Sequence, residues 1–180
     1  MPKAAVFLIN GFEEIEAITI IDVLRRGAVT VDLVSLETGL ETISKHKVIV
    51  SAEMSLAGLV PENYDMLIIP GGTIAYLDNT AFMTLIAERA KLKQKLAAIC
   101  AAPVVFGRLG LLKGLKAVCY PGLENELTGA ILPNEPVKVV TDQNITTSRG
   151  PATALPFALE ILSILTNPDN SAKVAKDMLV

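Results

Sequence analysis

One histidine, two cysteines and no tryptophan occur in 180 residues, and each scarcity excludes a class of chemistry. A single His cannot build a multi-His zinc or iron site, and a Ser-His-Asp or Cys-His mechanism within one subunit would have to use His46. Two Cys can form neither a disulfide framework nor a four-Cys zinc site. Aromatics are 4% of the chain against 51% apolar residues. The core is therefore aliphatic, built from Ala, Val, Ile and Leu. Charged residues are only 19%, and the mean hydropathy of +0.48 is high for a soluble protein. At 19.1 kDa the chain has the size of one ordinary domain, and residues 1–180 are expected to form a single one. Folding at this mass buries roughly 70% of the unfolded surface.

The net charge is −3 with 16 scattered Lys and Arg, and the pI is near 5.2. Nothing in that balance points to nucleic acid or to an anionic membrane. The N-terminal apolar stretch Ala4–Ile9 is short for a signal-peptide core and lacks a cleavage site. No apolar run approaches a membrane span. The expectation is a cytoplasmic protein with reduced thiols.

What is present alternates. AAVFLI (4–9) reads as a buried strand, and EEIEAITIIDVLRR (13–26) as a helix with acids at its positive end and arginines at its negative end. Gly27 stands at the expected C-cap. Further strands are read at 29–36, 65–70, 96–100, 137–141 and 144–148, with a small strand or hairpin around 47–51 and a short strand ending near Cys119. Helices are read at 81–95, 101–112 and 153–165. A polar NPDN break then precedes a last helix at 171–178. Strands alternating with helices predict parallel strands joined by crossovers, and continuous apolar strands predict a sheet covered on both faces. The expected fold is an α/β, flavodoxin-like, doubly wound sandwich with a mostly parallel central sheet. Such sheets place their sites at the carboxyl ends of strands.

Three strand ends carry unusual chemistry. NGFEEIE (10–16) brings Glu13, Glu14 and Glu16 together. Glu13 and Glu14 suit a helix start, whereas Glu16, flanked by Ile15, Ala17 and Ile18, suits a buried, protonated acid as well as a charge-compensating one. IIPGG (68–72) is either a tight turn or a pair of free N–H groups, Gly71 and Gly72, able to hold an oxyanion. LAAICAAP (96–103) puts Cys100 between a strand and a helix among small residues. That is the setting of a nucleophile elbow, where a helix end would lower the thiol pKa, and also of a buried structural Cys. Cys119 reads as structural, and His46, in the charged SKHKV segment, as a solvated side chain.

GFEEIEA, LIIPGG, AAICAAP and TSRGPAT, in that order across essentially the whole chain, resemble the ThiJ/PfpI family, the superfamily of the Parkinson-associated protein deglycase. The resemblance implies a flavodoxin-like sandwich. It places the family's reactive cysteine on Cys100, and on Glu16 the partner acid that is held protonated against the sulfur or its sulfinate. It places the oxyanion-type backbone groups on Gly71, Gly72 and Ala101. It also implies a homodimer, with Arg26 and His46 falling where some members hold anion-binding basic residues. Two departures stand out. Deglycase-type members carry a Thr-His-Pro segment where this chain reads Cys119-Tyr120-Pro121, and protease-like members have a His after the reactive Cys where this chain has Ala101. The chemistry is therefore expected to rest on a Cys-Glu pair, with Tyr120 as a possible hydrogen-bond donor.

The resemblance implies a glyoxalase III-like or deglycase-like enzyme that acts on methylglyoxal or glyoxal without metal or organic cofactor. A second implied role is a redox-sensing stress protein or chaperone, in which Cys100 is oxidised to the sulfinate. A third, thiazole-biosynthetic or amidotransferase-like, follows from the family's older name; no thiamin-site residues are visible in the sequence.

Overall fold

A computed structural model describes all residues, 1–180. In chain order the elements are β1 (Lys3–Leu8), α1 (Glu14–Arg26), β2 (Thr30–Ser35), β3 (Glu41–Ile43), β4 (Ile49–Ser51), β5 (Met54–Ser55), β6 (Met66–Ile69), α2 (Thr80–Lys91), β7 (Lys95–Ile99), α3 (Pro103–Arg108), β8 (Val139–Asp142), β9 (Ile145–Ser148), α4 (Ala154–Leu165) and α5 (Pro168–Asp177). Seven strands form one sheet in the order β5-β2-β1-β6-β7-β9-β8, and β3 and β4 form a separate hairpin. Every pairing in the large sheet is parallel except β8 with β9.

Strand alternation divides the core in two. Ala4, Val6 and Leu8 of β1 face the layer of α1, α4 and α5, where they join Ile20, Leu24, Phe157, Ile161 and Val174. Ala5, Phe7 and Ile9 face the layer of α2 and α3, where they join Phe82, Ile86, Val105 and Phe106. β6 and β7 divide in the same way. Both faces are covered, which is why these strands read as unbroken apolar runs. No helix is long and apolar enough to cross a membrane.

The sheet order reverses between β1 and β6, because the chain winds outward from β1 to β2 and then returns to continue on the other side. The crevice at such a switch point, at the strands' carboxyl ends, is where doubly wound sheets hold ligands. The ends of β1, β6 and β7 meet there, and they carry the three unusual segments.

Several local expectations change. The helix expected over 101–112 stops at Arg108, since Gly110 takes a φ of +69° and the chain turns away. No strand ends at Cys119. That segment is held at the sheet's end by side chains instead, with Lys116 N–H donating to Asp142 Oδ2 (2.8 Å) and Val118 N–H to Thr147 Oγ1 (3.0 Å). The NPDN break is the start of α5: Asn167 accepts from the N–H of Asn170 as N-cap, and Pro168 takes the first turn. Gly27 does end α1, but the left-handed residue is Ala28, with φ 60°. Gly27 is glycine for packing: a Cβ there would lie 2.2 Å from Leu162 Cδ1 of α4.

Candidate functional site

Cys100 follows β7 directly and has φ 66°, a left-handed conformation that is rare for a residue with a side chain. Its backbone is held from both sides. Its N–H donates to the Ser148 carbonyl at 3.0 Å, and its own carbonyl accepts from Tyr120 N–H at 2.7 Å. Such strain persists only where the surroundings over-determine it. The result is a sharp elbow that presents the sulfur at the switch-point crevice.

Glu16 enters from α1, in the first turn after Glu14. Its side chain is fully buried. Oε2 accepts the Gly71 N–H at 2.7 Å, while Oε1 is buried with no hydrogen-bond partner. Gly71 explains the closeness of acid and thiol: a Cβ there would lie 2.5 Å from Cys100 Cβ and 2.8 Å from Glu16 Oε2. The two side chains flank the space that a third would fill. Gly72 has φ +94°, and a Cβ on it would meet Glu13 N at 2.4 Å and Gly11 O at 2.5 Å. The Pro-Gly-Gly turn is thus required at both glycines, one for space and one for backbone conformation as well.

The three backbone groups expected to face an oxyanion divide. Gly71 N–H is taken by Glu16, whereas the Gly72 and Ala101 N–H groups favour an anionic sulfur. Burial pushes the Glu16 carboxyl up to about 7, against the Gly71 N–H and the Cys100 contact, with Glu13 raising it further and Lys45 opposing. Cys100 departs from expectation. Its thiol is pushed up to about 12, by burial first and the Glu16 charge second. The N–H groups before the six-residue α3, which begins only at Pro103, do not offset that burial. The pair is coupled: a proton on Glu16 removes the charge that opposes the thiolate. Burial and mutual proximity thus disfavour charge on either member of the pair.

A cavity of about 280 Å³ opens onto the sulfur, lined by Glu13, Lys45, Gly72, Cys100, Ala101, Tyr120 and Pro151. Pro151 comes from the TSRGPAT segment, which Thr153 ties down by accepting the Gly150 N–H at 3.0 Å. Tyr120 lies on the cavity wall, half-exposed, and its hydroxyl makes no hydrogen bond. Its backbone N–H, not the hydroxyl, meets the cysteine residue.

The expected basic residues are placed differently. Arg26 is ten residues beyond Glu16 on α1, about 15 Å along the axis at 1.5 Å per residue, and pairs with Asp22 at 2.7 Å. It takes no part in this cavity, because the helix carries its C-terminal end away from the strand ends. His46 sits in the β3–β4 turn, exposed, 2.9 Å from Glu14 Oε1 and 3.9 Å from Glu13 Oε2. It is not among the cavity-lining residues. The basic side chain at the cavity is its neighbour Lys45, positioned when Lys45 N–H donates to the Phe12 carbonyl at 2.8 Å. Sequence reasoning missed Lys45 and gave Glu13 only a capping role. Adjacency to His46 and the EExE run were the available signals, but neither shows that the hairpin folds back over β1's end. Cys119 is buried in the α2–α3 layer, its thiol pushed up to about 12 by burial and Glu124 against the pull of Arg149.

Fold and site together define a doubly wound α/β protein with a strained cysteine elbow set against a buried acid at the switch point. The chain belongs to the DJ-1/PfpI family, whose model matches residues 2–164. Protein DJ-1 homolog B of Arabidopsis thaliana is 34% identical over 183 residues, covering 99% of this chain and 41% of the plant protein. Protein dj-1beta of Drosophila melanogaster is 33% identical over 181 residues, covering 99% and 97%. The chain thus spans less than half of the plant relative and nearly all of the fly one. The solved structure of oxidized Toxoplasma gondii DJ-1 superposes with a TM-score of 0.93 at 32% identity, covering 99% of this chain and 98% of that one.

Proposed function

We propose that this protein converts small reactive aldehydes, with methylglyoxal and glyoxal as the substrate class, by glyoxalase III-like or deglycase-like chemistry. The observation that carries the reading is the buried Glu16 carboxyl, with one oxygen fixed by Gly71 and the other unpartnered, beside an elbow cysteine. The Cys100 sulfur adds to the aldehyde carbon, and its proton passes by way of Glu16 to the new oxygen, giving a hemithioacetal. Glu16 then removes the proton from that carbon and returns it to the adjacent one. The former aldehyde carbon is oxidised and its neighbour reduced, so no external electron acceptor enters. Water cleaves the resulting thioester to lactate or glycolate and frees the thiol. The Gly72 and Ala101 N–H groups steady the anionic stages. The test is a glyoxalase assay on wild type, Cys100→Ser and Glu16→Gln.

A redox-sensing role is favoured by a separate observation: a related Toxoplasma protein superposes closely in an oxidized form. Two equivalents of peroxide, each reduced to water, would carry the Cys100 thiol to the sulfinate, with Glu16 and the backbone N–H groups holding its oxygens. Mass spectrometry after mild peroxide should show two added oxygens on Cys100 before any on Cys119, whose buried thiol has no such neighbours. Oxidation of Cys119 first would count against a sensor.

The same proposal includes a homodimer. Ile15 and Ile18 of α1 and Ile43, Val48 and Ile49 of the hairpin are exposed, and the hairpin is tied to the loop leading into α1 by Gly11 N–H to Ile43 O at 2.8 Å. A second copy of this chain would cover this aliphatic surface. Sedimentation equilibrium should return twice the 19.1 kDa chain mass, and Ile18→Asp should shift it toward the monomer. A wild type that sediments as a monomer at all concentrations would overturn the dimer.

A further inference from the structure

Glu13, Glu14 and His46 bring one potential ligand atom each to within 4.8 Å of one another. Acids at a helix start are ordinarily solvated, whereas Glu13 is buried and Glu14 is only partly exposed. The Glu13 side chain is 7% exposed and makes no hydrogen bond; its only ion-pair contact is His46 Nδ1 at 3.9 Å. Glu14 Oε2 is likewise buried without a partner, while Oε1 meets His46 Nδ1 at 2.9 Å. One buried carboxylate without a hydrogen bond and one partly buried carboxylate with an unpartnered oxygen therefore converge on one exposed imidazole.

We propose that Glu13, Glu14 and His46 bind a divalent transition-metal ion at the rim of the Cys100 cavity. The donor set is one imidazole nitrogen and two carboxylate oxygens, which suits a borderline ion such as Zn(II) better than Mg(II) or Ca(II). Bonds of about 2.1 Å in tetrahedral geometry set ligand atoms about 3.4 Å apart. The two His46 spacings of 2.9 and 3.9 Å bracket that value and all three ligand atoms lie within 4.8 Å of one another, so side-chain adjustment closes the site, and a fourth position stays open. His46 lies on a hairpin turn and is free to adjust its ring. The positive end of α1 disfavours a lone cation at this point, and the two carboxylates offset it. Glu13 belongs to both the site and the cavity wall, so an ion here adds positive charge where Lys45 is otherwise the only basic side chain.

The inference stands apart from the aldehyde chemistry and is tested without an activity assay. Protein stripped with chelator is titrated with Zn(II) by calorimetry, and with Co(II) by absorption. Wild type should take one equivalent, and Co(II) should give ligand-field bands without a thiolate charge-transfer band. Cys100→Ser should bind as wild type does. His46→Ala and Glu14→Gln should each weaken binding by at least about tenfold, and excess Mg(II) should not displace the ion. Zn(II) binding unchanged in His46→Ala, loss of binding in Cys100→Ser, a thiolate–cobalt band, or no binding to wild type would each overturn the site. The spectroscopic arm keeps the test decisive should Cys100→Ser fold poorly.

Discussion

Cys100→Ser is expected to lower kcat/KM for methylglyoxal by at least about 10³-fold, and Glu16→Gln by about 10²–10⁴-fold. The serine hydroxyl keeps the size and the elbow but does not ionise in reach of neutral pH, so the covalent step is lost. Gln keeps the Gly71 hydrogen bond through its amide oxygen while removing the transferable proton, which separates positioning from proton transfer. Because the two side chains act on the same bonds, the double variant should be little worse than Cys100→Ser alone. Glu16→Asp, which retains the carboxyl but draws it back by one methylene, should recover part of the loss. Full cofactor-free turnover in Cys100→Ser would sink the aldehyde reading outright. Inactivity of the wild type toward every small aldehyde, with rapid peroxide oxidation of Cys100, would transfer the site to the sensor reading.

The second large effect is on stability, and its sign follows from burial. Glu16 titrates near 7 in the folded protein against an ordinary value of 4.5. The protonated form is therefore the one the fold favours. Its contribution is fully present below about pH 4.5 and is lost as pH rises through 7. The shift corresponds to about 3 kcal/mol. Glu16→Gln has no proton to lose. In the presence of a chelator it should match wild type near pH 4.5 and exceed it by up to about 3 kcal/mol at pH 8, read from denaturant midpoints at each pH. A wild type whose stability stays flat between those pH values would show that Glu16 is not held neutral. The variant expected to gain stability is also the one expected to lose turnover, the trade expected where a buried charge site is kept for chemistry.

The two outcomes are linked by one physical fact. Burial raises the cost of charge on both members of the pair, and the Glu16 charge raises it further for the sulfur. A thiol pushed up by burial and by a neighbouring carboxylate is not the freely ionised nucleophile that a helix end would give.

Composition and periodicity alone determined a good deal. Apolar runs within the strands read at 4–9, 65–70 and 96–100, set between helical patterns, point to burial on both faces and so to a parallel sheet between helical layers. One His and two Cys narrowed the covalent chemistry, and the small residues around Cys100 marked the elbow. The scarcity of His could not show where His46 goes, because a hairpin's landing point depends on long-range backbone bonds such as Lys45 N–H to Phe12 O. Only tertiary structure showed that Glu13 is buried, that Arg26 points to the far end of α1, and that Lys45 joins the cavity. The same is true of the thiol. Local sequence suggests a helix start beside Cys100, but its thiol is pushed up by burial first and then by a carboxylate 84 positions away in the chain, brought alongside by a glycine whose missing Cβ leaves room for both.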